Sequence, residues 1–220
     1  MHLYDVLTQL ADEFDVLSTH LRDFTKTRVS ISSPASFTLK DECILEGLLS
    51  RVWQAWGGFC RSCVVESCLG TTDGAGAVVM KHVSAFSESH VSGAAIQAKS
   101  KSAVHIWGST NTILRIEPTW GDVDVLTKII PRLGPANQGQ LLAAFSAGSQ
   151  SAKALQFIRN AAAHNNQQTM LDVLNIRSRY LTFPVTHPIQ ALYWIEPGSK
   201  DFLVLNAIDD LLDVGLAAIS

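Results

Sequence analysis

No apolar run in this sequence approaches the roughly 20 residues that a helix needs to cross a bilayer. The opening Met1-His2-Leu3-Tyr4-Asp5 lacks the basic stretch and apolar core of a secretory leader. Both absences predict a cytoplasmic protein with no membrane partner. Charge is scarce as well: charged residues are 17% of the chain against 47% apolar, and the net charge is −3. Such a balance argues against disorder. It also argues against general adhesion to nucleic acid, while leaving room for a local basic patch.

Cysteine is sparse, with four in 220 residues. Cys43, Cys60, Cys63 and Cys68 all fall on one predicted helix, a layout unsuited to a disulfide framework. Cys60-Arg61-Ser62-Cys63 has C-x-x-C spacing, but no second pair or nearby histidine completes a zinc site. Small, reduced, buried core thiols are expected instead. The loop Gly70-Thr71-Thr72-Asp73-Gly74-Ala75-Gly76 lacks both the lysine and the preceding strand of a phosphate loop. His82, His90 and His105 are irregularly spaced, with no cysteines or carboxylates patterned beside them. No metal and no cofactor is expected, and His187, set among prolines, should be exposed.

What is present is helical periodicity. Leu3, Val6, Leu7, Leu10, Phe14, Leu17 and Leu21 predict a first helix over residues 3–24, followed by a polar loop from Thr25 to Pro34. A long second helix is predicted after a Thr38 cap, with acids in its first turn, Trp53 and Trp56 as core anchors, and a stop at Gly70. Gly57-Gly58 within it marks a kink or a close approach. Residues 71–118 lose the pattern. One or two short helices within 78–97, helix or strand over 103–116, and a two-stranded insert are all compatible with them.

Periodicity returns after Pro118. Helices are predicted from a start at Pro118-Thr119-Trp120-Gly121-Asp122 to an end at Pro131 and Gly134-Pro135, from an Asn137 cap to Gly148, and from Ser149 or Ser151 through His164, closed by Asn165-Asn166 because asparagine tolerates the left-handed conformation. Another follows from a Thr169 cap toward Leu181. Residues 189–195 fit a short strand or a helical turn, and a final amphipathic helix spans about 202–219, with Leu205, Ile208, Leu211, Leu212 and Leu216 on its apolar face. The reading is one all-α domain over residues 1–220, with an irregular insertion around 71–118.

The helix containing Arg159-Asn160-Ala161-Ala162-Ala163-His164 stands out, because it sets a cation and an imidazole on a small-residue, apolar background. Residues five apart on a helix are separated by about 140° in projection, so the two heads do not stack. One reading is an arginine paired to another helix, beside an unrelated surface histidine. The other is a shared polar site. From Pro131 to Tyr180 the chain carries Arg132, Lys153, Arg159, Arg177 and Arg179 against the single acid Asp172, which concentrates positive charge around the motif.

These residues resemble the R-x4–6-H motif of the HEPN superfamily, including an asparagine directly after the arginine, late in an all-helical chain. The similarity is to stand-alone prokaryotic members from toxin–antitoxin and phage-defence systems. It implies a HEPN-like bundle and a metal-independent endoribonuclease, with Arg159 and His164 catalytic at a site shared by a homodimer. Asn160 would be a supporting residue, and Lys153, Arg177 and Arg179 would bind substrate. The implied partners are RNA, a second copy of the chain, and an antitoxin or other regulatory protein.

The chemistry suits the residue types. RNA brings its own 2′-OH nucleophile. Histidine, with an ordinary pKa near 6.5, exchanges protons around neutrality, and arginine neutralises phosphate. In members silenced by adenylylation a tyrosine lies two residues after the histidine; here that position is Asn166, which argues against such control. The alternative is a non-catalytic HEPN-like module that binds a protein partner or nucleotide.

Overall fold

A computed structural model describes residues 2–26, 37–100, 102–164 and 166–220. The chain is all-α. Its helices are α1 (Leu3–Lys26), α2 (Leu39–Leu69), α3 (Glu88–Lys99), α4 (Val123–Leu133), α5 (Gln138–Ala147), α6 (Ser149–His164), α7 (Gln167–Ile176) and α8 (Leu203–Ile219). The sole sheet among the described residues is a short antiparallel pair, β1 (Thr71–Thr72) with β2 (Val78–Val79), in which Thr71 faces Val79. The two-stranded insert is therefore present, at the start of the 71–118 segment. Beyond it lie one helix, α3, and a 3₁₀ turn at Leu114–Ile116; residues 103–113 are neither helix nor strand.

Local chemistry explains most boundaries. At the start of α2, Thr38 and Asp41 form a reciprocal capping box: the Thr38 N–H donates to Asp41 Oδ2 at 2.7 Å and the Asp41 N–H to Thr38 Oγ1 at 3.3 Å. The Asp122 carboxylate starts α4 by accepting from the Asp124 N–H. Of the residues expected to end α4, Gly134 does so and Pro131 lies inside it. The helix continues to Leu133 at the expense of one intrahelical bond, and Gly134 closes it in the left-handed conformation, φ 65°. Asn137 does not cap α5 with its side chain; its amide donates to Ser67 Oγ. Of the loop expected over Thr25–Pro34, Thr25 and Lys26 belong to α1 instead, and residues 27–34 lie outside the described residues.

The chain forms two compact units, one of Met1–Ala11, Trp56–Ser149 and Leu212–Ser220, the other of Asp12–Ala55 and Gln150–Leu211. In the first unit Trp56 is fully buried, stacks on Phe59, and meets Phe145 edge-on. Its Nε1 donates to the Gly121 carbonyl at 3.2 Å, and a Cβ added at Gly57 would meet Gly121 N at an ordinary 3.6 Å, so this contact does not require glycine. α2 runs through Gly57-Gly58 as a single helix, and a Cβ at Gly58 would meet nothing within 4 Å. The connection before α4 is held by Glu117, whose buried carboxylate accepts from Arg61 Nε and Nη2, Ser92 Oγ and Trp120 Nε1. Cys60, Cys63 and Cys68 are buried free thiols here.

The second unit has its own core. Phe14, Leu17 and Leu21 of α1, Leu45, Leu49 and Trp53 of α2, and Leu155, Ile158 and Ala161 of α6 are buried. Tyr193 packs against Phe24 and Phe202 and donates to the Leu21 carbonyl. Residues 188–193 form a 3₁₀ helix, the helical option for that segment, and Ile195 then bridges Leu181 and Phe202. Cys43 is exposed, which corrects its expected burial. In the first unit Leu216, expected on the apolar face of α8, is also exposed.

Candidate functional site

The motif helix α6 is built as its pattern dictates. Ala154, Leu155, Ile158 and Ala161 fill the core side, which turns the remaining positions outward. Neither expected serine caps it: Ser149 is its first residue and Ser151 Oγ donates to Asp210. His164 is the last helical residue and is exposed. Asn165 lies outside the described residues. Asn166 is extended, φ −127°, and not left-handed as expected; its side chain accepts from the Thr169 N–H and starts α7. The cap of α7 is thus Asn166, three residues ahead of Thr169.

Arg159 is exposed, and its Nη1 donates to Asn160 Oδ1 at 3.4 Å. Among the described residues no carboxylate forms an ion pair with it, which sets aside the reading of an arginine paired to another helix. Its side chain lines a recess of about 150 Å³ shared with Glu46, Leu49 and Ser50 of α2, Ala162 and Ala163 of α6, and Ile189. Glu46 also meets His187, with Oε1 3.4 Å from Nε2. His187 is half-buried and caps the 3₁₀ helix at 188–193, contrary to its expected exposure. His164 does not line the recess.

The two motif heads therefore serve different stripes of one helix. Lys153, Asn160 and His164 follow each other at steps of seven and four, so they share a stripe, and Arg159 lies to one side of it. Asn160 links the two: it accepts from the arginine and stands one turn below the histidine. Lys153 is half-buried. Arg177 and Arg179 are exposed on the 3₁₀ turn that follows α7, in the same compact unit as α6. Arg132 belongs to the other unit and donates to the carbonyls of Ala98, Ser100 and Ala103. Its charge is committed to the end of α3.

Sequence reasoning located α6 and its polar pair but not Glu46 or Ser50. These sit one turn apart on α2, a spacing that marks them as neighbours but carries no sign of Arg159. Among the described residues, no group of three or more His, Cys, Asp or Glu side chains is placed to hold a metal ion. No described helix is long and apolar enough to cross a membrane. No protein-family model matches the chain, and no curated protein or solved structure matches it.

Proposed function

We propose that this chain is a HEPN-like, metal-independent endoribonuclease that acts as a homodimer in a toxin or phage-defence role. One observation carries the reading: Arg159 and His164, the two motif heads, both reach solvent from one helix of an all-α chain. A purely structural arginine would be expected to find a carboxylate or the core.

Within one chain the heads diverge, so the reaction needs two. The guanidinium of one copy binds the phosphate oxygens and offsets charge as it develops. The imidazole of the other takes the proton of the 2′-OH as that oxygen attacks phosphorus. The bond to the 5′-oxygen breaks, a protonated histidine supplies its proton, and the products are a 2′,3′-cyclic phosphate and a 5′-hydroxyl. Asn160 orients the arginine through the hydrogen bond it already accepts. Lys153, Arg177 and Arg179 are proposed to bind the flanking RNA, and an antitoxin or other regulatory protein is the proposed restraint.

The deciding experiment incubates purified protein with mixed RNAs in EDTA. Cleavage leaving cyclic phosphate ends, and lost in His164→Ala, is the expected result. Equal cleavage by His164→Ala overturns the assignment. The divergence of the two heads favours a second reading, a non-catalytic module that binds a protein partner or nucleotide. It requires no cleavage at all, together with a lowered melting temperature for Arg159→Ala.

A further inference from the structure

We propose that the recess between the C-terminal turn of α3 and α4 binds an amphipathic anion, a single alkyl chain ending in one carboxylate or phosphate. This inference is independent of the nuclease reading, because it concerns the other compact unit. The recess has a volume of about 540 Å³, within the range of small-molecule sites. Its lining among the described residues is Ala98 and Lys99 of α3 with Val125, Lys128, Ile129 and Arg132 of α4.

Two features of that lining define the ligand. Ala98 and Ile129 are buried and Val125 half-buried, so the floor is aliphatic. It offers no aromatic ring on which a nucleobase could stack. Lys99 and Lys128 are exposed, and no acid is among the lining residues. Asp124, exposed one turn before Lys128, is the nearest acid along α4.

The wall between floor and rim is fixed. Arg132 Nη1 donates to the carbonyls of Ala98 and Ser100, each at 2.6 Å, and Nη2 to that of Ala103. These bonds cover the open carbonyl end of α3. They hold the two helices in register and leave the two ammonium groups to receive an anion. An alkyl chain laid along Val125 and Ile129 would remove apolar surface from water, with its charged end at the lysines. A small hydrophilic anion would leave that floor wet, and an uncharged chain would leave the lysines without a partner.

Calorimetric titration of the full chain with decanoate and with decyl phosphate tests this, with decan-1-ol, butyrate and inorganic phosphate as comparisons. Saturable binding of one chain per protein is expected for one or both of the first two probes. Decan-1-ol should bind at least about tenfold more weakly, and butyrate and inorganic phosphate should give no heat. The Lys99→Glu/Lys128→Glu protein should lose at least about tenfold in affinity at an unchanged melting temperature, since both side chains are exposed. Val125→Trp, which fills the recess, should abolish binding; if it does not fold, the double lysine variant decides. Equal affinity for decan-1-ol and decanoate, uptake of many chains per protein, binding of neither anionic probe, or full binding by the lysine variant would each overturn the proposal.

Discussion

Glu117 accepts two hydrogen bonds from Arg61, from Nε at 2.7 Å and from Nη2 at 2.9 Å, with its carboxylate only 3% exposed. Arg61 also reaches Glu88 through Nη1, so one guanidinium holds α2, the start of α3 and the connection into α4 together.

That pair makes the fold sensitive to acid. Burial alone would raise the Glu117 pKa, but hydrogen bonds from Arg61, Ser92 and Trp120 together hold it below the ordinary carboxylate range. A depressed folded value means the stabilisation is complete above the unfolded pKa and is lost as pH falls through the folded one. Wild type should therefore lose stability below about pH 4, and Glu117→Gln should flatten that part of the profile. The same substitution should cost about 3 kcal/mol near neutrality, because Arg61 keeps its charge in a half-buried setting without its main partner. Urea denaturation at several pH values measures both effects.

Mixing Arg159→Ala with His164→Ala tests the proposed shared site. Arg159→Ala and His164→Ala homodimers should each lose RNA cleavage. Co-refolded, they should regain part of it, because a mixed dimer assembles one guanidinium with one imidazole from opposite copies. Both single variants should melt as wild type does, since both side chains are exposed. No recovery in a mixture shown to contain mixed dimers would count against the shared arrangement.

Thiol reactivity should single out Cys43. Burial pushes the Cys63 and Cys68 thiols up to about 12, and burial with the neighbouring Cys63 raises Cys60 well above its usual value. Thiolate is the reactive form. Mass spectrometry after iodoacetamide treatment of native protein should find one label, on Cys43, and four after unfolding. Labelling at Cys60 or Cys63 under native conditions would contradict the packing of α2.

Gly134→Ala should destabilise by about 1 kcal/mol, because an L-residue is strained at φ 65°. Contact is not the cause, as the added Cβ would meet only His82 ring atoms at an ordinary 3.7 Å. Gly134→Asn should recover part of the loss, since asparagine tolerates that conformation. Denaturant midpoints separate the two variants.

The helices legible in the sequence are those whose apolar residues answer to a single buried side, as Leu3, Val6, Leu10 and Phe14 do in α1. The 103–118 stretch is illegible for a physical reason. It is held by Glu117 reaching Arg61 and by Arg132 reaching the carbonyls of Ala98, Ser100 and Ala103, contacts between residues far apart in sequence that leave no local period. The end of α4 falls at Gly134 and not at Pro131, because a proline near a helix end is carried at the loss of a single bond. At the candidate site, Arg159, Asn160 and His164 were visible because charge on an alanine-rich helix is conspicuous. Glu46 and Ser50 were not, since their nearness to Arg159 arises only when α2 and α6 pack.

Asn166 has a structural duty that bears on how this chain could be controlled. Its side-chain oxygen holds the first turn of α7, so the residue two places beyond the histidine is already occupied in winding the next helix. Introducing a bulky, modifiable ring there would remove that cap, a loss of about 1 kcal/mol from the start of α7. A covalent mark at that position would therefore carry a cost at the start of α7 that the proposed protein restraint, laid over His164 from outside, would not.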